Sequence, residues 1–138
     1  MTEGQELLYL DDLAVGQRFS SPSHAVDEAG IKAFAREYDL QPFHLDEAAA
    51  ASSLFGGLAA SGWHTAAISM RLLAGSVPLA GGVIGAGGEI AWPCPTRPGD
   101  VLTVGKRPMS EAQADAVVAV YLADSDGLCR ATREERAA

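Results

Sequence analysis

The segment Gly62 to Ala74 constrains the fold of this chain more than any other. It carries Trp63, Ala66, Ala67, Ile68, Met70, Leu72 and Leu73, so a helix built on it is apolar on most sides. Such a helix has to be buried. One small curved sheet covers only part of it, and sheet edges themselves need pairing or protection. The segment therefore predicts a dimer as well as a central helix. At 138 residues the chain suits one domain with one core, and residues 1–138 are read as a single domain.

The other elements arrange themselves around that helix. A strand is expected from Gly16-Gln17-Arg18-Phe19 through His24 and Val26. Asp27 is placed as the N-cap of a helix, with Glu28 in its first turn. Ile31, Phe34, Ala35 and Tyr38 give that helix one apolar face by their i, i+3, i+4, i+7 spacing. Pro42 disfavours helical geometry at Gln41 and ends the helix near Tyr38. Asp39 to His44 is then read as a constrained loop, and Asp46 as the cap of a short helix through Ser52. Strands are expected over Gly82 to Trp92, Val101 to Val104, Ala116 to Leu122 and Leu128 to Thr132. Pro93 and Pro95 end the first of these ladders, Gly105 to Met109 interrupt the second, and Asp124 to Gly127 suit a tight hairpin. Helices early and antiparallel strands late indicate an α+β domain.

Composition removes several classes of function. Ten Lys+Arg against eighteen Asp+Glu give a net charge of −8, which argues against nucleic acid or an anionic membrane as the main partner. No run approaches the roughly 18 to 20 apolar residues of a membrane span. The acidic start Met1-Thr2-Glu3-Gly4-Gln5-Glu6 is unlike a signal peptide, and a cytoplasmic location is expected. Cys94 and Cys129 are read as two reduced thiols, with no metal site. The run Gly81 to Gly88 lacks the lysine of a phosphate loop and does not open a helix, so a nucleotide cradle is not expected.

Two places carry candidate chemistry. Asp39 and His44 put a carboxylate and an imidazole five residues apart around Pro42, which stiffens the segment. By pattern alone they fit either a pair that holds one water and shuttles protons or ordinary structural capping. The run Ala60-Ser61-Gly62-Trp63-His64 opens the apolar helix, whose first N–H groups lack helical partners. Gly62 is thus a candidate oxyanion donor, or a glycine that starts a helix for steric reasons. His24 and His64 are read as structural.

Asp39-Leu40-Gln41-Pro42-Phe43-His44-Leu45-Asp46-Glu47, with Phe55-Gly56-Gly57 and Ala60-Ser61-Gly62, resembles the MaoC-like dehydratases, the (R)-specific enoyl-CoA hydratase or hydratase 2 group. The resemblance runs from about Leu10 to Leu122. It implies a hot dog fold, in which an antiparallel sheet wraps a long central helix, and a homodimer with active sites near the interface. Asp39 and His44 match the catalytic pair, and the Gly62 N–H matches the position that binds the thioester carbonyl. Gln41 stands where the motif has asparagine, and Ser61 where relatives often have histidine.

The resemblance implies a hydro-lyase that adds water to, or removes it from, an acyl thioester on coenzyme A or an acyl carrier protein, without a cofactor. Arg97, Lys106 and Arg107 are candidates for the carrier phosphates. The alternatives are a pathway dehydratase or cyclase on a polyketide-like intermediate, or a non-catalytic hot dog binding or assembly subunit.

Overall fold

A computed structural model of the chain describes Gly4 and residues 6–14, 17–82, 84, 90–107 and 119–123. Among the described residues, four strands make an antiparallel sheet: β1 (Phe19–Ser20), β2 (His24–Ala25), β3 (Val101–Arg107) and β4 (Ala119–Ala123). Strand β3 is the spine. It pairs with β1 at Phe19–Lys106, with β2 at His24–Leu102, and with β4 from Thr103–Ala123 to Arg107–Ala119. Pro22 has no N–H to continue a ladder, and the expected first strand divides there into β1 and β2. Ser21 bridges the gap. Its N–H donates to the Val104 carbonyl at 3.0 Å, and its hydroxyl accepts from the Val104 N–H at 2.8 Å.

Helix α1 spans Glu28–Tyr38. The Asp27 carboxylate caps it by accepting from the Gly30 N–H at 2.7 Å, and Ile31 and Ala35 are buried on its inner face. Next come α2 (Pro42–Leu45), α3 (Glu47–Ala51) and the long α4 (Gly62–Ser76). Asp46 caps α3 through the Ala49 N–H at 2.9 Å. The core joins Val26, Ile31, Ala50, Leu58 and Ala60 to Ile68, Leu72 and Leu73 of α4 and to Leu102 and Val104 of β3. Leu102 and Val104 alternate with less buried neighbours, the period of a strand with one face inward. Burying each large aliphatic side chain contributes about 1.5–3 kcal/mol.

Several expectations are corrected. Pro42 to Leu45 form one helical turn rather than a loop, because proline fits the first helical position. Gly105 to Arg107 continue β3 instead of interrupting it, since two neighbouring strands pair with them. Helix α4, by contrast, agrees with the expectation that one chain covers it only in part: Trp63, Ala67, Met70 and Ala74 are exposed at helical spacing. Gly82, Ile84 and residues 90–92 are not strand, and the rest of that expected strand lies outside the described residues. So do residues 116–118, the Asp124 to Gly127 hairpin and the Leu128 to Thr132 strand. Cys94 is disulfide-bonded, which corrects the reading of two reduced thiols; Cys129 lies outside the described residues.

Candidate active site

Helix α1 ends by handing the chain to Asp39, whose N–H still donates to the Ala35 carbonyl at 3.0 Å. Asp39 itself is non-helical, and this break turns its carboxylate toward α2. Pro42 opens α2, and His44 lies on that single turn, 4% exposed. The sequence signal therefore works through two short elements. One stops at the carboxylate and the other starts so that the imidazole faces it. Asp39 Oδ2 and His44 Nε2 are 3.4 Å apart.

The imidazole is oriented from its other side. His44 Nδ1 is 2.6 Å from the Ala59 carbonyl oxygen. A carbonyl only accepts, so Nδ1 carries the proton and donates it. In the neutral ring that leaves the Nε2 lone pair facing Asp39. Phe43 packs edge-on to the ring, centroids 4.6 Å apart, and limits its rotation.

Asp39 is surrounded by groups with opposing effects. Burial pushes its pKa up, but the Ser61 hydroxyl, the Gln41 amide and the His44 imidazole together outweigh this and lower it below 3.8. The Gln41 Nε2 donates to Asp39 Oδ1 at 2.7 Å, which leaves Oδ2 for His44. Ser61 is fully buried, and its Oγ makes no hydrogen bond of normal geometry among the described residues. It nevertheless lies near enough to Asp39 to favour the carboxylate. Sequence reasoning marked Gln41 and Ser61 only as departures from the motif and gave neither a part in setting the charge of Asp39. A small hydroxyl residue next to the candidate oxyanion glycine was the available signal for Ser61.

Gly62 is the first residue of α4, and no side chain caps the helix there. Its N–H is among those the helix cannot satisfy internally. The tight neighbour of Gly62 is a side chain, not open space. A Cβ at Gly62 would lie 2.7 Å from Cε2 of Trp92, so only glycine lets that ring lie on the helix start. Asp39, His44 and Gly62 line one cavity of about 400 Å³ with Phe43, Phe55, Trp63, Trp92 and Pro95. It combines a few polar groups with mostly apolar walls, the usual make-up of a small-molecule site.

The three candidate phosphate contacts are not brought together there. The Arg97 guanidinium turns inward and donates to the backbone carbonyls of Phe55, Gly57 and Leu58. Its fork clamps the loop before α4, a structural task that the sequence reading did not foresee. Lys106 and Arg107 lie on β3, and their side chains fall outside the described part of the structure. His64 stacks on Phe34 with centroids 4.8 Å apart, away from the Asp39–His44 pair in the bonding pattern. Among the described residues, no group of three His, Cys, Asp or Glu side chains is arranged to hold a metal ion.

Residues 12–115 match the model of the MaoC like domain family. The chain belongs to that family. This MaoC-like domain is similar to a MaoC-like dehydratase from Rhodospirillum rubrum, with 58% identity, a TM-score of 0.78, and coverage of 87% of this chain and 88% of that chain. It is also similar to the R-hydratase PhaJ1 from Pseudomonas aeruginosa, with 25% identity, a TM-score of 0.69, and coverage of 86% and 76%. An uncharacterized Bacillus subtilis protein, YdeM, is 43% identical over 63 residues, which span 46% of this chain and 45% of YdeM. The chain thus matches less than half the length of that curated relative. The architecture of the MaoC-like domain, an antiparallel sheet with α4 against it, is the α+β hot dog fold expected from the sequence.

Proposed function

We propose that this chain is an (R)-specific hydratase/dehydratase of 2-enoyl and 3-hydroxyacyl thioesters, with Asp39 and His44 as its catalytic pair. The carrying observation is the 3.4 Å approach of Asp39 Oδ2 and His44 Nε2 in a cavity that also contains Gly62. The names of the two structural relatives, a dehydratase and an R-hydratase, support the same reaction class.

One water is held by both the carboxylate and the imidazole, beside their 3.4 Å gap. The thioester carbonyl oxygen accepts from the Gly62 N–H. Attack forms the O–C3 bond, and the electron pair of the double bond moves toward C2 and the thioester oxygen. Negative charge grows on that oxygen, where a backbone donor at a helix start is most effective. The pair takes the proton of the attacking water and returns it to C2, so one water is added with no net proton change. Elimination is the same path reversed. Asp39 is ready for this work as an ion, because its low pKa keeps it charged near neutral pH.

The carrier is coenzyme A or an acyl carrier protein, with Lys106 and Arg107 as its phosphate contacts. The working unit is a homodimer in the cytoplasm. The exposed face of α4, with Trp63, Ala67, Met70 and Ala74, supports the dimer, since large apolar patches ordinarily meet a partner. Among the described residues no helix is long and apolar enough to cross a membrane. The reaction is tested by offering crotonyl-CoA and following loss of its enoyl-thioester absorbance. Rapid loss in the purified protein supports the hydratase; no loss with acyl-CoA still bound favours a binding subunit.

A further inference from the structure

Trp92 and Trp63 are 45% and 61% exposed, yet both line the cavity that holds Asp39 and His44. Neither ring belongs to the hydrophobic core; Trp63 also lies on the exposed α4 face given above to the dimer, whereas Trp92 stands outside that helix. Trp92 lies directly on Gly62, with Cε2 at 2.7 Å and Cδ2 and Cζ2 at 3.0 Å from the position a Cβ would take. Trp63 meets it edge-on, centroids 5.5 Å apart and planes at 76°. The indole therefore stands beside the very residue that would receive the carbonyl oxygen.

The chain that follows the ring is anchored at Thr96. Pro93 and Pro95 each lock one dihedral. The Ala60 N–H donates to the Thr96 carbonyl at 2.8 Å, and Thr65 Oγ1 donates to Thr96 Oγ1 at 3.0 Å with both residues buried. Thr96, four residues beyond Trp92, is thus pinned to the start of α4, and the two prolines stiffen the chain between them. A thioester with its carbonyl at Gly62 and its C3 beside Asp39 and His44 would meet the Trp92 ring, which lines the same cavity.

We propose that Trp92 is the specificity-determining residue of the site, and that its ring, laid on Gly62, restricts the acyl group to short straight-chain 2-enoyl thioesters. This rests on the thioester reading given above. A wall of this kind discriminates by size, since one methylene in an apolar pocket changes selectivity by about 10- to 200-fold. Opening the wall relaxes that limit without touching the Asp39–His44 pair.

The test uses the full chain, Trp92→Phe and Trp92→Ala. Dissociation constants are measured by calorimetry for saturated butyryl-, hexanoyl-, octanoyl- and decanoyl-CoA, and turnover is measured with the matching 2-enoyl-CoAs. The wild type should bind butyryl-CoA more tightly than decanoyl-CoA by at least about tenfold. Trp92→Ala should cut that ratio by about tenfold or more, chiefly through tighter decanoyl-CoA binding, and Trp92→Phe should fall between. Equal wild-type affinity across the series overturns the proposal. So does an unchanged ratio in Trp92→Ala or, if that variant does not fold, in Trp92→Phe. Absence of acyl-CoA binding overturns it as well. Chain-length-limited binding without turnover of crotonyl-CoA upholds the wall and removes the hydratase reading, so the two claims fail separately.

Discussion

Gln41 stands where the motif has asparagine, and its longer amide still reaches Asp39 Oδ1 at 2.7 Å. A carboxylate only accepts, so the amide nitrogen must be the group that faces it. Gln41→Leu removes that donor. The Asp39 pKa then rises, and the acid limb of the kcat/KM profile moves to higher pH, because the carboxylate is lost to protonation sooner. A profile with an unmoved acid limb tells against this role. At this scale the pairing of Asp39 with His44 was legible, since both residues lie in one short motif. The proton on His44 Nδ1 was not legible, because it depends on the Ala59 carbonyl, 15 residues away. The Ser61 contribution depends likewise on α4 arriving beside Asp39, which no local spacing encodes.

Helix α1 was readable at both ends because its signals are local. Asp27 caps it, and the helix ends four residues before Pro42. Asp27→Ala should cost about 1 kcal/mol through loss of the cap, seen as a lower denaturant midpoint at unchanged slope. Helix α2 was missed because Pro42 was read only as a stop, although the same residue fits a first helical turn. The Arg97 clamp was hidden for a different reason: its carbonyl partners lie 39 to 42 positions away. Arg97→Met leaves those partly buried carbonyls without their charged donor. It should destabilise the fold by about 1.5–3 kcal/mol, the range for hydrogen bonds to charged groups, in a denaturant melt. Its effect on KM for crotonyl-CoA should be small once folded protein is corrected for. A large rise in KM at unchanged stability would instead return Arg97 to the carrier phosphates.

For the whole molecule, the apolarity of α4 foretold a helix against a sheet, but the exposed Trp63, Ala67, Met70 and Ala74 show that one chain covers only part of it. Light scattering at micromolar concentration should give a dimer, and Met70→Glu should shift it toward monomer; a monomeric wild type contradicts this. Acid sensitivity also belongs to the whole fold. Burial lowers the His64 pKa below 6.5, nearby His24 lowers it further, and Asp27 opposes them. The unfolded chain therefore takes up this proton more readily than the fold does. The His64 contribution is intact above 6.5 and is lost as pH falls below it, so a pH series of melts should decline there and flatten in His64→Gln. The net charge of −8 now sets a demand on any anionic thioester carrier, which has to dock against a local basic cluster. The most direct measurement of the central claim is crotonyl-CoA hydration by wild type, Asp39→Asn and His44→Gln at equal folded concentration. Rapid wild-type turnover that falls by about 10²–10⁴ in each variant, with folding unchanged, is the predicted result. Full activity in both variants, or no turnover by the wild type, would contradict it.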